Sequence, residues 1–123
     1  MLPTLLIITA PPTSRLAFHA FQLAQAMQQS SQSFTVFFYQ DAVHVANQDL
    51  WRSDDEINLT RKWQSLNIPL PVCVSAALNR GISDTENATR HHLGHANLAQ
   101  GFQLTGLGTL AEAIQTSGHI LQF

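Results

Sequence analysis

The chain alternates between short apolar runs and longer amphipathic ones. "TLLIITA", Thr4 to Ala10, is apolar and β-branched almost without interruption. That is the pattern of a strand buried on both faces of a parallel sheet. "PPTS" comes next as a turn, with Ser14 placed to cap a helix. From Ser14 to Gln29 the positions Leu16, Ala20, Leu23, Ala24 and Met27 recur at helical spacing, and Phe18 and Phe21 widen the stripe. "SFTVFFY", Ser33 to Tyr39, predicts the second strand, and Gln40 to Asp49 carries a weak helical pattern. A second helix opens at Ser53 with Asp54, Asp55 and Glu56, acids suited to the positive end of a helix. Its buried stripe is expected to be Ile57, Leu59, Trp63 and Leu66, and Pro69 ends it. "LPVCVSA" predicts the third strand, and the polar stretch from Gly81 to about Gln100 predicts loop plus a short helix. "GFQLTG" predicts a short fourth strand, "LGTLAEAIQTSG" a helix with Gly118 as C-cap, and "HILQF" a terminal strand.

Strands alternating with helices in a chain of 123 residues argue for one α/β domain over residues 1–123. The expected architecture is an open, mostly parallel sheet of about five strands in a flavodoxin-like order, with helices on both faces. Ligand and reaction sites of such sheets lie beyond the carboxyl ends of the strands.

Composition sharpens this picture. Charged residues are 11% of the chain, against roughly 25% in an ordinary domain. So sparse a charged surface points to a subunit partly covered by others. The net charge of −2 and the scatter of six Lys and Arg argue against direct nucleic-acid binding. The longest strongly apolar run, Leu5 to Ile8, is far too short to span a bilayer, and the first residues lack a signal-peptide pattern. The expected location is the cytoplasm. A single cysteine, Cys73, fits a reducing compartment.

Cys73 stands in "PLPVCVSAALNRG", where the apolar run gives way to small and then polar residues. A cysteine between valines is most simply a small buried hydrophobe. Three features favour reactivity: the strand ends there, a helix starting near Ser75 would aim N–H groups of the Ser75–Ala76 backbone at the sulfur, and Arg80 offers a cation. Free thiols titrate near pH ~8.5, and such surroundings lower that value. His44, His91, His92, His95 and His119 have no fixed relation to Cys73 in the sequence, so no Cys–His pair is assigned. "GLGTL", Gly106 to Leu110, lacks the full dinucleotide-binding spacing, and no flavin or nicotinamide cofactor is expected. His91 and His95, four apart, could share a helical face, but two histidines without a third ligand make a poor zinc site.

Taken in order, "AFQLAQAM", "VFFYQDAVHVANQ", "DDEINLTRKWQSLN", "VCVSAALNRGI", "NLAQGFQLTGLGTLAEA" and "HILQF" resemble the DsrE/TusD family of sulfur-carrying subunits over nearly the whole chain. The resemblance implies a sulfurtransferase subunit that holds a persulfide on Cys73 by thiol exchange, with no metal or organic cofactor. It implies a TusA-like donor, a TusE-like acceptor, and TusB- and TusC-like companions in a heterohexamer. The end use would be 2-thiolation of the wobble uridine of certain tRNAs. Two alternatives stay open: a DsrE-like carrier in the oxidation of reduced sulfur compounds, and a non-catalytic scaffold subunit, for which Cys73 would be buried and inert. The sequence departs from the family pattern at "TAPPTSR", which lacks glycines, at Ala42, where glycine is usual, and at "TSGH", Thr116 to His119.

Overall fold

A computed structural model describes residues 2–123. Five strands, β1 (Thr4–Ile8), β2 (Phe34–Phe38), β3 (Leu70–Cys73), β4 (Phe102–Thr105) and β5 (His119–Gln122), form one sheet. Every pairing in it is parallel. Between the strands lie α1 (Arg15–Gln29), a 3-10 helix (Gln40–Ala46), α2 (Leu59–Ser65), α3 (Val74–Leu78), α4 (Thr85–Arg90) and α5 (Leu107–Thr116).

The parallel α/β sheet agrees with the sequence pattern, but its strand order is β4-β3-β2-β1-β5. A flavodoxin-like order, 2-1-3-4-5, places the second strand at an edge. Here the chain steps outward in one direction from β1 to β4 and then returns to set β5 on the other side of β1. Crossovers in parallel sheets are right-handed, so connections that advance one way put their helices on one face and the returning connection puts α5 on the other. Packing agrees: α1 meets α2, α2 meets the 3-10 helix, and that helix meets α3. Thr109 and Ala113 of α5 lie instead over Thr35, Phe37 and Pro71.

α1 forms where its sequence has no β-branched residue and where the Ser14 hydroxyl accepts the Leu16 N–H at 3.1 Å. It buries Ala17, Ala20, Phe21, Ala24 and Met27, whereas Leu16, expected in the stripe, is exposed. α2 is capped by Asn58, whose Oδ1 accepts the Arg61 N–H at 3.1 Å, and not by Ser53. The acids 54–56 therefore belong to the turn before the helix, and Ile57 is exposed with them. Trp63 of α2 is the centre of the core, packed edge-on against Phe21 (5.3 Å between centroids) and Phe38 (5.2 Å). Such pairs add about 0.5–1.5 kcal/mol each beyond burial.

Three further boundaries differ from the sequence expectation. β3 stops at Cys73, and Val74 already belongs to α3. α5 ends on Ser117, while Gly118 lies against the first residues, its N–H donating to the Pro3 carbonyl at 2.9 Å. A Cβ at Gly118 would stand 3.2 Å from that of Leu2, so a close approach of chains explains this glycine. His91 caps the end of α4 and His95 lies beyond it, so the two do not share a helical face.

The two faces of the sheet are unequally covered. α5 has no fully buried residue, and Leu107, Ile114, Ile120 and Leu121 are each between 42% and 50% exposed. β5 is exposed along its whole length.

Candidate functional site

β2, β3 and β4 end side by side, and the segments that leave them close around one cavity of about 220 Å³. Tyr39 and Gln40 come from the end of β2, Cys73, Ser75, Ala76, Asn79 and Arg80 from the end of β3 and the α3 region, and Leu107 from the start of α5. This is the position that parallel sheets use for ligands and chemistry. Gln40 adopts a left-handed backbone (φ 51°) as the chain turns from β2 into the 3-10 helix. For a residue with a Cβ that conformation costs about 1–2 kcal/mol. Ala42, where the resemblance leads one to expect glycine, is buried in that helix with no such backbone demand.

Cys73 is the last residue of β3 and the residue preceding α3, with an extended backbone (φ −60°, ψ 119°). Cys73 is among the residues that border the cavity, although it is only 1% exposed. The sequence predicts a helix near Ser75, and α3 begins at Val74, one residue after the cysteine. That helix has only five residues, and none of its N–H groups is hydrogen-bonded to the Cys73 side chain.

Of the other candidates, Ser75, Ala76 and Arg80 all border the same cavity as Cys73. Arg80 does not stand as a free cation there. Its Nε and Nη2 each lie 3.1 Å from Oδ1 of Asp41, and its Nη1 donates to the Ala76 carbonyl at 3.0 Å. The pair ties the 3-10 helix to the turn after α3. With Asp41 60% and Arg80 28% exposed, it is worth no more than about 1 kcal/mol.

Two neighbours of the cysteine escaped sequence reasoning. Asp41, 32 positions earlier, neutralises Arg80. Thr105 of β4 is the register partner of Cys73 across the sheet. No local pattern announces either residue, because each reaches the site through strand pairing and turn geometry. The histidines lie elsewhere: none borders the cavity, and His95 Nε2 sits 3.6 Å from an Asp49 carboxylate oxygen. Among the described residues no three His, Cys, Asp or Glu side chains come together in a metal-binding group. A larger cleft of about 500 Å³ lies at the end of β1, between the "PPTSR" turn and Asp55–Ile57. Its serine hydroxyl is already committed to capping α1.

The molecule is an α/β protein with an open parallel sheet and a cysteine at the carboxyl end of a central strand. The model of the DsrE/DsrF-like family matches residues 3–123, and the chain belongs to that sulfur-relay family. The crystal structure of the YchN protein from E. coli superposes with a TM-score of 0.77 at 20% identity, covering 100% of both chains, and shares the fold. Among the described residues no helix is long and apolar enough to cross a membrane.

Proposed function

We propose that this chain is a sulfurtransferase subunit that carries a sulfane sulfur on Cys73. The observation that carries the reading is the placement of the only cysteine at the carboxyl end of β3, bordering a cavity where three strands end. In the loading step the Cys73 thiolate attacks the outer sulfur of a donor persulfide. A new sulfur–sulfur bond forms, the donor's bond breaks, and the donor leaves as a thiolate. In the unloading step an acceptor thiolate attacks the outer sulfur on Cys73, which leaves as a thiolate in turn. Both steps are thiol exchange, so no external oxidant, reductant, metal or organic cofactor enters the balance.

The donor in this reading is TusA-like, the acceptor TusE-like, and the destination the 2-thiouridine of tRNA wobble positions. A subunit serving sulfur oxidation would use the same two steps with other partners. The net charge of −2 leaves tRNA contact to the acceptor side. TusB- and TusC-like subunits are the proposed companions in the cytoplasm. The thin covering of the α5 face and the 11% charge content support a chain that is partly enclosed by other subunits.

One observation favours a second reading, in which the chain is a scaffold subunit: Cys73 is 1% exposed. A carrier must uncover its sulfur, and two residues on the wall of the adjoining cavity are themselves partly exposed, Arg80 at 28% and Leu107 at 50%. Intact-protein mass spectrometry separates the readings. The wild type and Cys73→Ser are incubated with a persulfidated TusA-like protein in the presence of the partner subunits. A carrier gains the mass of one sulfur atom, loses it to a thiol reductant, and gains nothing as Cys73→Ser. A folded, assembled wild type that gains no sulfur is a scaffold.

A further inference from the structure

Thr105 holds the one buried side-chain oxygen or nitrogen among the described residues that lacks a hydrogen-bond partner. Its Oγ1 has less than 1 Å² of accessible surface. Native proteins leave few such groups unpaired, and each costs on the order of 1–3 kcal/mol. The position of this one is specific. β3 and β4 pair in parallel with Cys73 opposite Thr105, and adjacent strands run about 4.8 Å apart. Paired residues project to the same side of a sheet, so the orphan hydroxyl and the thiol share one face. That face is the α5 side, as α5 lies over Pro71, two residues before Cys73.

We propose that Thr105 is the hydrogen-bond donor to the sulfur anion held on Cys73. The inference rests on the carrier reading above and names the group that receives the cargo. A neutral thiol is a weak acceptor, and with Cys73 in that state the Thr105 hydroxyl makes no bond to it. A thiolate or persulfide anion is a strong acceptor, and hydrogen bonds to charged groups are about twice as strong as neutral ones. In the persulfide the charged atom also stands about 2.05 Å further out, one sulfur–sulfur bond from Sγ. Loading therefore supplies the partner that the hydroxyl lacks. The cation that would otherwise serve, Arg80, is already committed to Asp41 and the Ala76 carbonyl. Tyr39 is the remaining titratable side chain on the cavity wall.

The test is the rate of iodoacetamide alkylation of Cys73 as a function of pH, in wild type, Thr105→Val and Thr105→Ser. Loss of one charge-assisted hydrogen bond moves the Thr105→Val profile about one pH unit upward, a tenfold drop in rate on its rising limb. Thr105→Ser keeps the hydroxyl and the wild-type profile. Superimposable wild-type and Thr105→Val profiles overturn the proposal, as does a Thr105→Ser profile that follows Thr105→Val. Should Thr105→Val fold poorly, Thr105→Ala removes the same hydroxyl without adding bulk and carries the same expectation. Persulfide lifetime without acceptor is the second readout, shorter about tenfold in Thr105→Val. If the wild type takes up no sulfur while the alkylation profiles still separate, the carrier reading fails and the contact between Thr105 and the thiolate stands.

Discussion

Two buried threonine hydroxyls receive the same chemical change, Thr→Val, with opposite expected results for stability. Thr60 Oγ1 donates to the Val45 carbonyl at 2.6 Å and accepts from Arg52 Nη2 at 3.2 Å. The Val45 carbonyl lies at the end of the 3-10 helix and has no substitute donor there. The Gln48 N–H, three residues on, goes instead to the Asn97 carbonyl at 2.8 Å. Thr60→Val therefore leaves a buried carbonyl unpaired, which costs about 1–3 kcal/mol. At the 3–5 °C per kcal/mol that roughly applies to a domain of this length, Tm falls by about 3–15 °C. Thr105→Val breaks no bond and removes an unpaired hydroxyl, so its stability stays within about 0.5 kcal/mol of wild type or rises. Urea unfolding monitored by far-UV circular dichroism measures both, with equal m-values as the control for a common unfolded state. A Thr105→Val protein that loses as much as Thr60→Val would mean that its hydroxyl has a structural partner. The assignment of that hydroxyl to the sulfur would then be wrong.

Trp63→Ala removes the side chain that joins Phe21 and Phe38, and costs about 3–5 kcal/mol, a large part of a domain's usual 5–15. Trp51→Ala, at a residue 81% exposed, stays within about 0.5 kcal/mol of wild type in the same urea titration. A loss below about 1 kcal/mol at Trp63 would move the centre of the core elsewhere. Asp41→Asn unties Arg80 from the 3-10 helix, and alkylation of Cys73 at fixed pH accelerates by up to about fivefold at low salt, the equivalent of the ~1 kcal/mol pair. The gain shrinks toward one at 1 M salt, where charges are screened within about 3 Å. An unchanged low-salt rate would show that the pair has no bearing on the reactivity of Cys73.

The elements were legible in the sequence because each solves a local problem. Leu5 to Ile8 and Val36 to Phe38 are apolar in succession, the pattern of a strand covered on both faces. Boundaries set by competing local signals were less legible. Ser53 with three acids is as good a helix start as Asn58, and tertiary packing decided for Asn58 by burying Leu59, Thr60 and Trp63 one turn later. Strand order was not legible at all, since the periodicity of α5 is the same whether the chain returns beside β1 or continues beyond β4. Pro71 illustrates the gap between composition and pairing. It has no N–H for the ladder, and β3 touches β2 only at Val72 opposite Phe38 while pairing with β4 along its full length.

At the site the sequence pointed to Cys73 and to its own flanks, Ser75, Ala76 and Arg80, because those lie within about two turns of chain. It did not contain the identity of the residues that strand pairing delivers. Asp41 arrives just after β2 and Thr105 at the end of β4, 32 positions away on either side, and they change the chemistry of the place. Asp41 removes Arg80 from the pool of free cations, and Thr105 leaves one unpaired donor on the same face of the sheet. The burial of Cys73 has the same origin. Ending β3 at the cysteine puts that residue at the strand's carboxyl end, and α3, starting one residue later, adds Ala76 and Ala77 to the same buried core. The place of Cys73 at the carboxyl end of a central strand and its burial are thus produced by one local turn, and the carrier and scaffold readings each rest on one half of that result.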